Sequence, residues 1–436
     1  MGFLRVFSIA LVANFILFVL SFLNNKLIYL VLSPEENGVY FLTMRFSLLV
    51  YLFFGEWIRL TNMNIAGSNK SLTPVLSANV TAYTGLIGIL LLSCAALFPQ
   101  FLGFCFPGLP AYCLVAVIIT GLCIILRSAF QSLLLVNNRM FWYGAIFVLW
   151  GGIFLLLDVV FLCFYHLGLN AVIFALMISS ALAALAAFFS NTAYHGLSFR
   201  PSLKIFTMSG KMGIRAAFAV FGMYIMINIH AFAIGPLTGG MGESLAIVGM
   251  FSVSFRVYQL FQRGSDITGT ILFANVAQNG EKKGYRITSV VCRNIFASIV
   301  FFGIIACLLG KQLILIISDS KFLGAYLPLL FMMPGIVFMN TGTILNSSYW
   351  GRGYPFKVIV APYVAAALGF AMDMIFIPGH GATGAALAFS CMSFLWFMYI
   401  ILVFRSDSGF HISKIIIPHY EDFLYLLAKI RHKFSW

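Results

Sequence analysis

The chain has 436 residues, of which 62% are hydrophobic and only 9% charged, and its mean hydropathy is +1.01. That composition excludes a soluble globular enzyme, a disordered chain and a secreted disulfide scaffold. It also excludes a transmembrane β-barrel, whose polar lumen face would dilute the hydrophobicity. The apolar residues suffice for about twelve helices of roughly 20 to 22 residues each, so the predicted class is an all-α integral membrane protein. The net charge of +14, from 26 Lys+Arg against 12 Asp+Glu, calls for no nucleic acid partner in such a chain, because basic residues collect in cytoplasmic loops.

The first apolar run follows Met1 to Arg5 and continues to Leu32 without a small-residue cleavage site. It reads as a first span and not as a removed signal peptide. Ser33-Pro34-Glu35-Glu36 then reads as a helix start, with Ser33 as cap, Pro34 in the first position and two acids in the first turn. The predicted spans are 6–32, 39–60, 76–98, 112–136, 144–165, 170–194, 213–235, 245–273, 287–310, 325–347, 356–377 and 382–404. If the N-terminus is cytoplasmic, the cytoplasmic loops and tails hold sixteen Lys+Arg and the outer loops only Lys311 and Lys321. Both termini are therefore expected inside, with an even number of spans. Cys105 and Cys113 flank one short outer loop and form a disulfide only if oxidised there; the other reading is free thiols. Beyond Pro418, Phe423, Leu427, Ile430 and Phe434 recur at helical spacing beside Lys429, Arg431 and Lys433, which predicts an amphipathic cytoplasmic tail over 406–436.

An internal repeat appears at a shift of 211 residues. Gly38 falls on Gly249, Arg45 on Arg256, Leu49 on Leu260, and Asn64-Ile65-Ala66 on Asn275-Val276-Ala277. Met1-Gly2 falls on Met212-Gly213 and Ser33 on Ser244. The carboxylates slip by one: Glu56 is 11 residues after Arg45, Asp266 is 10 after Arg256. Six spans per half predict two lobes, 1–200 and 201–405, related by a pseudo-twofold along the membrane normal, with substrate bound between them.

Ionisable residues within the spans carry the functional signal, since each costs about 2.5 to 3.5 kcal/mol at the bilayer centre. The bases are Lys26, Arg45, Arg59, Arg127, Arg215, Arg256, Arg263 and Arg293. Arg59, Arg215 and Arg293 lie near inner ends, where they can snorkel. At about 100° per residue, Arg256, Gln259, Arg263 and Asp266 share one narrow face, and Arg45, Glu56 and Arg59 share another. Such a stripe faces a polar cavity or another protein element. One reading is buried ion pairs, such as Glu56 with Arg59 or Arg263 with Asp266. The other is a cationic cavity for an anionic substrate, because bases outnumber acids and guanidinium forks match phosphate oxygens. On that reading Arg256, Arg45, Arg263, Lys26, Arg127 and Arg215 are the binding residues. Asp266, Glu56, Asp158 and Asp373 are open to either a coupling or an ion-pairing role. The seven histidines are scattered, mostly at loops and ends. The sequence contains no Walker A motif, no GxSxG, no HExxH and no Cys/His cluster, so no cofactor, metal or catalytic residue is expected.

The connector Leu32-Ser33-Pro34-Glu35-Glu36-Asn37-Gly38-Val39-Tyr40 resembles the L-x-P-x-E-(F/Y)-G-x-(Y/F) connector of Wzx-type O-antigen and exopolysaccharide flippases, with Asn37 in place of the usual aromatic. These belong to the multidrug/oligosaccharidyl-lipid/polysaccharide exporter superfamily, and the resemblance covers roughly residues 1 to 405. It implies a MATE-like fold with spans 1, 2, 7 and 8 lining a central cavity. It implies a bacterial inner-membrane flippase that carries an undecaprenyl-pyrophosphate-linked oligosaccharide from the cytoplasmic to the periplasmic leaflet by alternating access. The lipid tail would leave through a gap between the lobes. Proton or sodium coupling, and a polymerase and chain-length regulator as pathway partners, are implied with it. The rivals are a cation-coupled multidrug extruder, which would want an acidic or aromatic cavity, and a membrane polymerase or glycosyltransferase, which would want a long outer loop. A structural scaffold would leave the polar stripes unexplained.

Overall fold

The computed structural model describes residues 3–98, 100, 109–196, 200–239, 241–278 and 281–418. Cys105, with its candidate bridge to Cys113, and the tail expected beyond Pro418 lie outside them. The regular structure of the described residues is helical: α1 (Phe3–Val31), α2 (Pro34–Phe54), α3 (Glu56–Ser68), α4 (Thr73–Leu97), α5 (Ala111–Val136), α6 (Met140–Asp158), α7 (Gly168–His195), α8 (Leu203–Leu237), α9 (Met241–Gln278), α10 (Glu281–Leu308), α11 (Gly310–Ile317), α12 (Tyr326–Trp350), α13 (Phe356–Ser408) and α14 (Ile412–Ile416). Hydrocarbon offers the backbone no water, so helices that satisfy their own N–H and C=O groups are the form these apolar runs take. Among the described residues eleven helices are long and apolar enough to cross a membrane. The last of them, α13, has 53 residues. A straight helix of that length would run ~80 Å, far beyond the ~30 Å hydrocarbon core. It breaks at Gly381, where φ is 52° and ψ −125°, so α13 contains both of the spans predicted over 356–377 and 382–404.

Local rules explain the start of α2. The Ser33 hydroxyl accepts from the Glu36 N–H at 3.2 Å, and the Glu36 carboxylate accepts from the Ser33 N–H at 2.9 Å. This capping box, with Pro34 in the first turn, is the helix start expected from the sequence. The next expectation fails. The span predicted over 39–60 is not one helix but two, α2 and α3, divided at Gly55. A Cβ there would lie 2.6 Å from the Ile125 side chain and 3.0 Å from the Tyr51 carbonyl oxygen, so the turn is tight against α5. Arg45 therefore belongs to one helix and Glu56 and Arg59 to another, and the stripe drawn through all three is interrupted. A second irregularity follows Asp158, where Val159–Phe164 widens into a π-turn, a form frequent at functional sites.

The described residues pack into two compact units. The first comprises residues to Tyr224, Ile234–Ser252 and Leu315–Leu323. Its core packs Ile58, Leu76, Phe130 and Leu133, with a further patch of Ile28, Tyr40, Phe154 and Leu176. The second comprises Ile225–Ala233, Val253–Ile314 and the residues from Gly324. Its core packs Leu272, Leu345, Phe397, Ile400 and Phe404.

Inside the first unit, the N-terminal turns of α2 and α9 touch at residues equivalent under the 211-residue repeat. A Cβ on Gly38 would strike the Leu245 carbonyl oxygen, and one on Gly249 would strike the Pro34 carbonyl oxygen. Gly38 and Gly249 differ by 211 positions, as do Pro34 and Leu245. The two backbones come this close because both contacts lack a side chain. A Gly249→Ala substitution should destabilise by about 1 to 3 kcal/mol, as overpacking does. Gly242→Ala on the same helix, where a Cβ meets nothing within 4 Å, should be neutral. Thermal unfolding midpoints in detergent check the contrast; equal midpoints would deny the close approach.

Candidate functional site

The first unit holds a cluster of ionisable side chains where α2, α3 and α5 meet. Glu56 is 3% exposed. Its Oε1 lies 2.5 Å from Arg59 Nη2, and Arg59 Nε donates to its Oε2 at 2.8 Å. Tyr51 donates its phenolic hydrogen to the same carboxylate. Glu56 thus stands in an ion pair with Arg59. Arg127, on α5, has no such acid. Its guanidinium lies 4.9 Å from the Trp150 ring and 5.8 Å from the Phe147 ring. Its Nε and Nη1 are buried without a hydrogen-bond partner. Cation–π contact of this kind is worth about 2 kcal/mol when desolvated, which offsets part of the cost of holding the charge.

Arg45, on α2, is buried with its guanidinium 4.9 Å from the Phe41 ring, and its carbonyl accepts from the Tyr224 hydroxyl at 2.5 Å. Lys26, on α1, is held by backbone. Its ammonium donates to the Leu315 carbonyl at 2.6 Å and to the Ser318 carbonyl, at the end of α11. Lys321 returns the contact by donating to Leu30 O near the end of α1, at 2.9 Å. Each lysine thus sits where a helix leaves carbonyls unmatched and carries partial negative charge. Arg215 on α8 is exposed. Asp158 is fully buried, its two oxygens lacking well-formed hydrogen bonds and Asn24 beside it.

In the second unit, Arg256 and Gln259 are neighbours on α9, and Arg256 Nη1 donates to Gln259 Oε1 at 3.0 Å. Arg256 Nε is buried without a partner. A neutral amide thus fixes this guanidinium without neutralising it. Arg263 and Asp266 follow on the same helix, both exposed, and the field of Arg256 reaches Arg263. The predicted stripe of Arg256, Gln259, Arg263 and Asp266 therefore lies on one unbroken helix, unlike its counterpart in α2 and α3.

Asp373 has a partner that sequence reasoning passed over. His230, on α8, and Asp373, on α13, are both completely buried, with Nδ1 2.9 Å from Oδ1 and 3.0 Å from Oδ2. The His230 ring meets Phe389 edge to face at 5.7 Å, and its Nε2 is buried without a partner. The signal was present: His230 lies inside the span predicted over 213–235, the one place where an imidazole needs a reason.

No protein-family model and no curated protein matches the sequence. Solved structures do match its fold. The lipid II flippase MurJ, in an inward closed conformation, aligns with a TM-score of 0.73 at 16% identity, covering 98% of this chain and 93% of that one. An inward-facing multidrug resistance MATE family transporter of the MOP superfamily aligns at 0.69 and 14% identity, covering 89% and 95%. A MOP superfamily transporter from Pyrococcus furiosus Vc1, described by the reverse polarity of its binding pocket, aligns at 0.63 and 13% identity, covering 93% and 95%. The described residues are all helical, and the chain has the MATE-like fold that the resemblance implies.

Removing the acid from the Glu56–Arg59 pair leaves a half-buried cation uncompensated. Glu56→Gln should lower stability by about 2 to 4 kcal/mol, toward the lower part of the range for breaking buried pairs because Arg59 is partly exposed. Glu56→Gln with Arg59→Gln should restore most of it. Denaturation of the two single variants and the double variant gives the coupling; additive losses would mean the pair is not an energetic unit.

Proposed function

We propose that this protein is a transporter that flips an undecaprenyl-pyrophosphate-linked oligosaccharide repeat unit from the cytoplasmic to the periplasmic leaflet of a bacterial inner membrane. Both termini lie in the cytoplasm on this reading, and the repeat unit serves O-antigen or exopolysaccharide synthesis. The observation that carries it is Arg256: a guanidinium at membrane depth, oriented by Gln259 and not consumed by an acid. A polar group in that position is costly unless something binds it, and a pyrophosphate offers the oxygens a guanidinium fork matches. Arg263, on the next turns of α9, adds positive charge, and the connector at Leu32–Tyr40 supports the same class. The fold shared with a lipid II flippase supports a lipid-linked substrate.

A multidrug extruder has the same fold, but cationic drugs call for acids, and the α9 stripe carries two arginines against one aspartate. Enzymatic synthesis is not part of the proposal. Lys26, committed to carbonyls, and Arg127, enclosed by aromatic rings, serve as structural cations here and not as first contacts for substrate. Coupling to a proton or sodium ion falls to the acids without a basic partner at hand, Asp158 before Asp266.

Arg256→Gln tests the proposal in a host whose surface polysaccharide depends on this protein. A charged hydrogen bond is worth about 1.5 to 3 kcal/mol, so flipping should fall about tenfold to a hundredfold. Lipid-linked single repeat units should then accumulate on the inner leaflet and surface polymer should fall, at unchanged protein level. Wild-type levels of both pools would remove Arg256 from the site.

A further inference from the structure

Three of the helices in the first unit, α3, α4 and α8, leave an apolar groove of about 390 Å³ with the end of α2. Six of its eleven lining residues are aromatic: Phe53, Phe54, Trp57, Tyr83, Phe218 and Phe221. The rings brace one another. Trp57 meets Tyr83 at 5.5 Å and Phe206 at 5.3 Å, and Phe53 meets Phe221 at 5.4 Å, all edge to face. The floor is made of small residues. Ala217 is 8% exposed, and a Cβ on Gly210 would still stand 3.9 Å from the Trp57 ring. Next to it, Gly213 packs α8 directly on the Trp57 carbonyl and Thr61, whose hydroxyl also donates to Ser209 O at 2.9 Å. The groove is thus held open by backbone contacts beneath it, while Phe53, Ile214 and Phe218 stand more than half exposed along its rim.

A cationic edge runs beside it. At about 100° per residue, Lys204, Lys211 and Arg215 fall within ~40° of one another, just beyond Phe218 at the groove's rim and roughly 95° around α8 from the centre of its groove face. Lys211 and Arg215 are both exposed. They are four residues apart, ~6 Å along the axis, where two like charges repel unless an anion sits between them. This edge lies on the side that the positive-inside count assigns to the cytoplasm.

We infer that this groove is a binding site for the polyprenyl tail of the substrate as it arrives from the cytoplasmic leaflet, with its pyrophosphate held at that stage by Lys211 and Arg215 and not by Arg256. The inference rests on the lipid-linked reading above. An isoprenoid suits the groove because its repeated double bonds and methyl branches present polarisable faces and C–H groups to ring faces and edges. The paired cations suit two linked phosphates.

The test uses the full chain in phosphatidylcholine nanodiscs, with undecaprenyl pyrophosphate as probe. Photoreactive benzoylphenylalanine is placed at Phe218 on the groove rim, or at Leu156, which is 62% exposed on α6. Total probe binding is measured in parallel. The Phe218 adduct should exceed the Leu156 adduct at least tenfold. Ala217→Phe, which fills the floor, should cut it at least fivefold. Lys211→Gln with Arg215→Gln, two surface changes that leave the fold alone, should cut it by a similar factor. An equal amount of phosphatidylglycerol should not compete. Equal adducts at the two positions, or competition by phosphatidylglycerol, would overturn the groove site as ordinary boundary lipid. If the probe binds tightly while the adducts are equal, the groove fails and the flippase reading stands. If the unmodified chain binds the probe no better than phosphatidylglycerol, both fail.

Discussion

A charge carried into hydrocarbon must be met by something, and the interior of this protein is arranged around how each one is met. Acid meets base in Glu56–Arg59 and His230–Asp373. Lys26 and Lys321 meet helix-end carbonyls. Arg127 meets the faces of Trp150 and Phe147. These are three different physical answers to one cost, and each fixes helices against one another as a by-product. Arg256 has a weaker answer, a single amide oxygen, and the binding role proposed for it rests on this difference.

The helices themselves were legible because water-free solvent leaves the backbone one choice. The Ser33 cap was legible for the opposite reason: its rule is local and needs only three following residues. What escaped depended on distant chain. A glycine inside an apolar run is compatible with continuous helix, and the break at Gly55 is dictated by Ile125, which no local pattern names. A lysine in an apolar run reads as a cavity cation, and the carbonyls that hold Lys26 are 289 and 292 residues away. The residues of the α9 stripe stay on one helix because no break interrupts it. His230 escaped for another reason. An imidazole is not a fixed charge, so a search for membrane charges passes over it, and the residue that explains its place, Asp373, is 143 positions away.

On the proposed reading, the α9 arginines and the aromatic groove of the first unit each answer one of the two chemistries of a lipid-linked anion. Guanidinium groups suit the phosphates, and an aromatic groove suits the chain. Their value lies in the contrast with the charges already committed elsewhere, since Arg59, His230 and Lys26 show what a purely structural solution looks like in this fold.

The paired glycines carry a consequence for ancestry. Gly38 rests on the carbonyl of Leu245 while Gly249 rests on the carbonyl of Pro34. A contact in which two patches exchange the same roles is isologous, the kind a homodimer makes across a twofold axis. A six-span ancestor with one glycine at that turn would have met both requirements at once, because a second copy would have supplied the other half. Fusion of two such copies into one chain would freeze the dimer contact in place and leave each glycine separately answerable for a clearance that one residue secures in a homodimer.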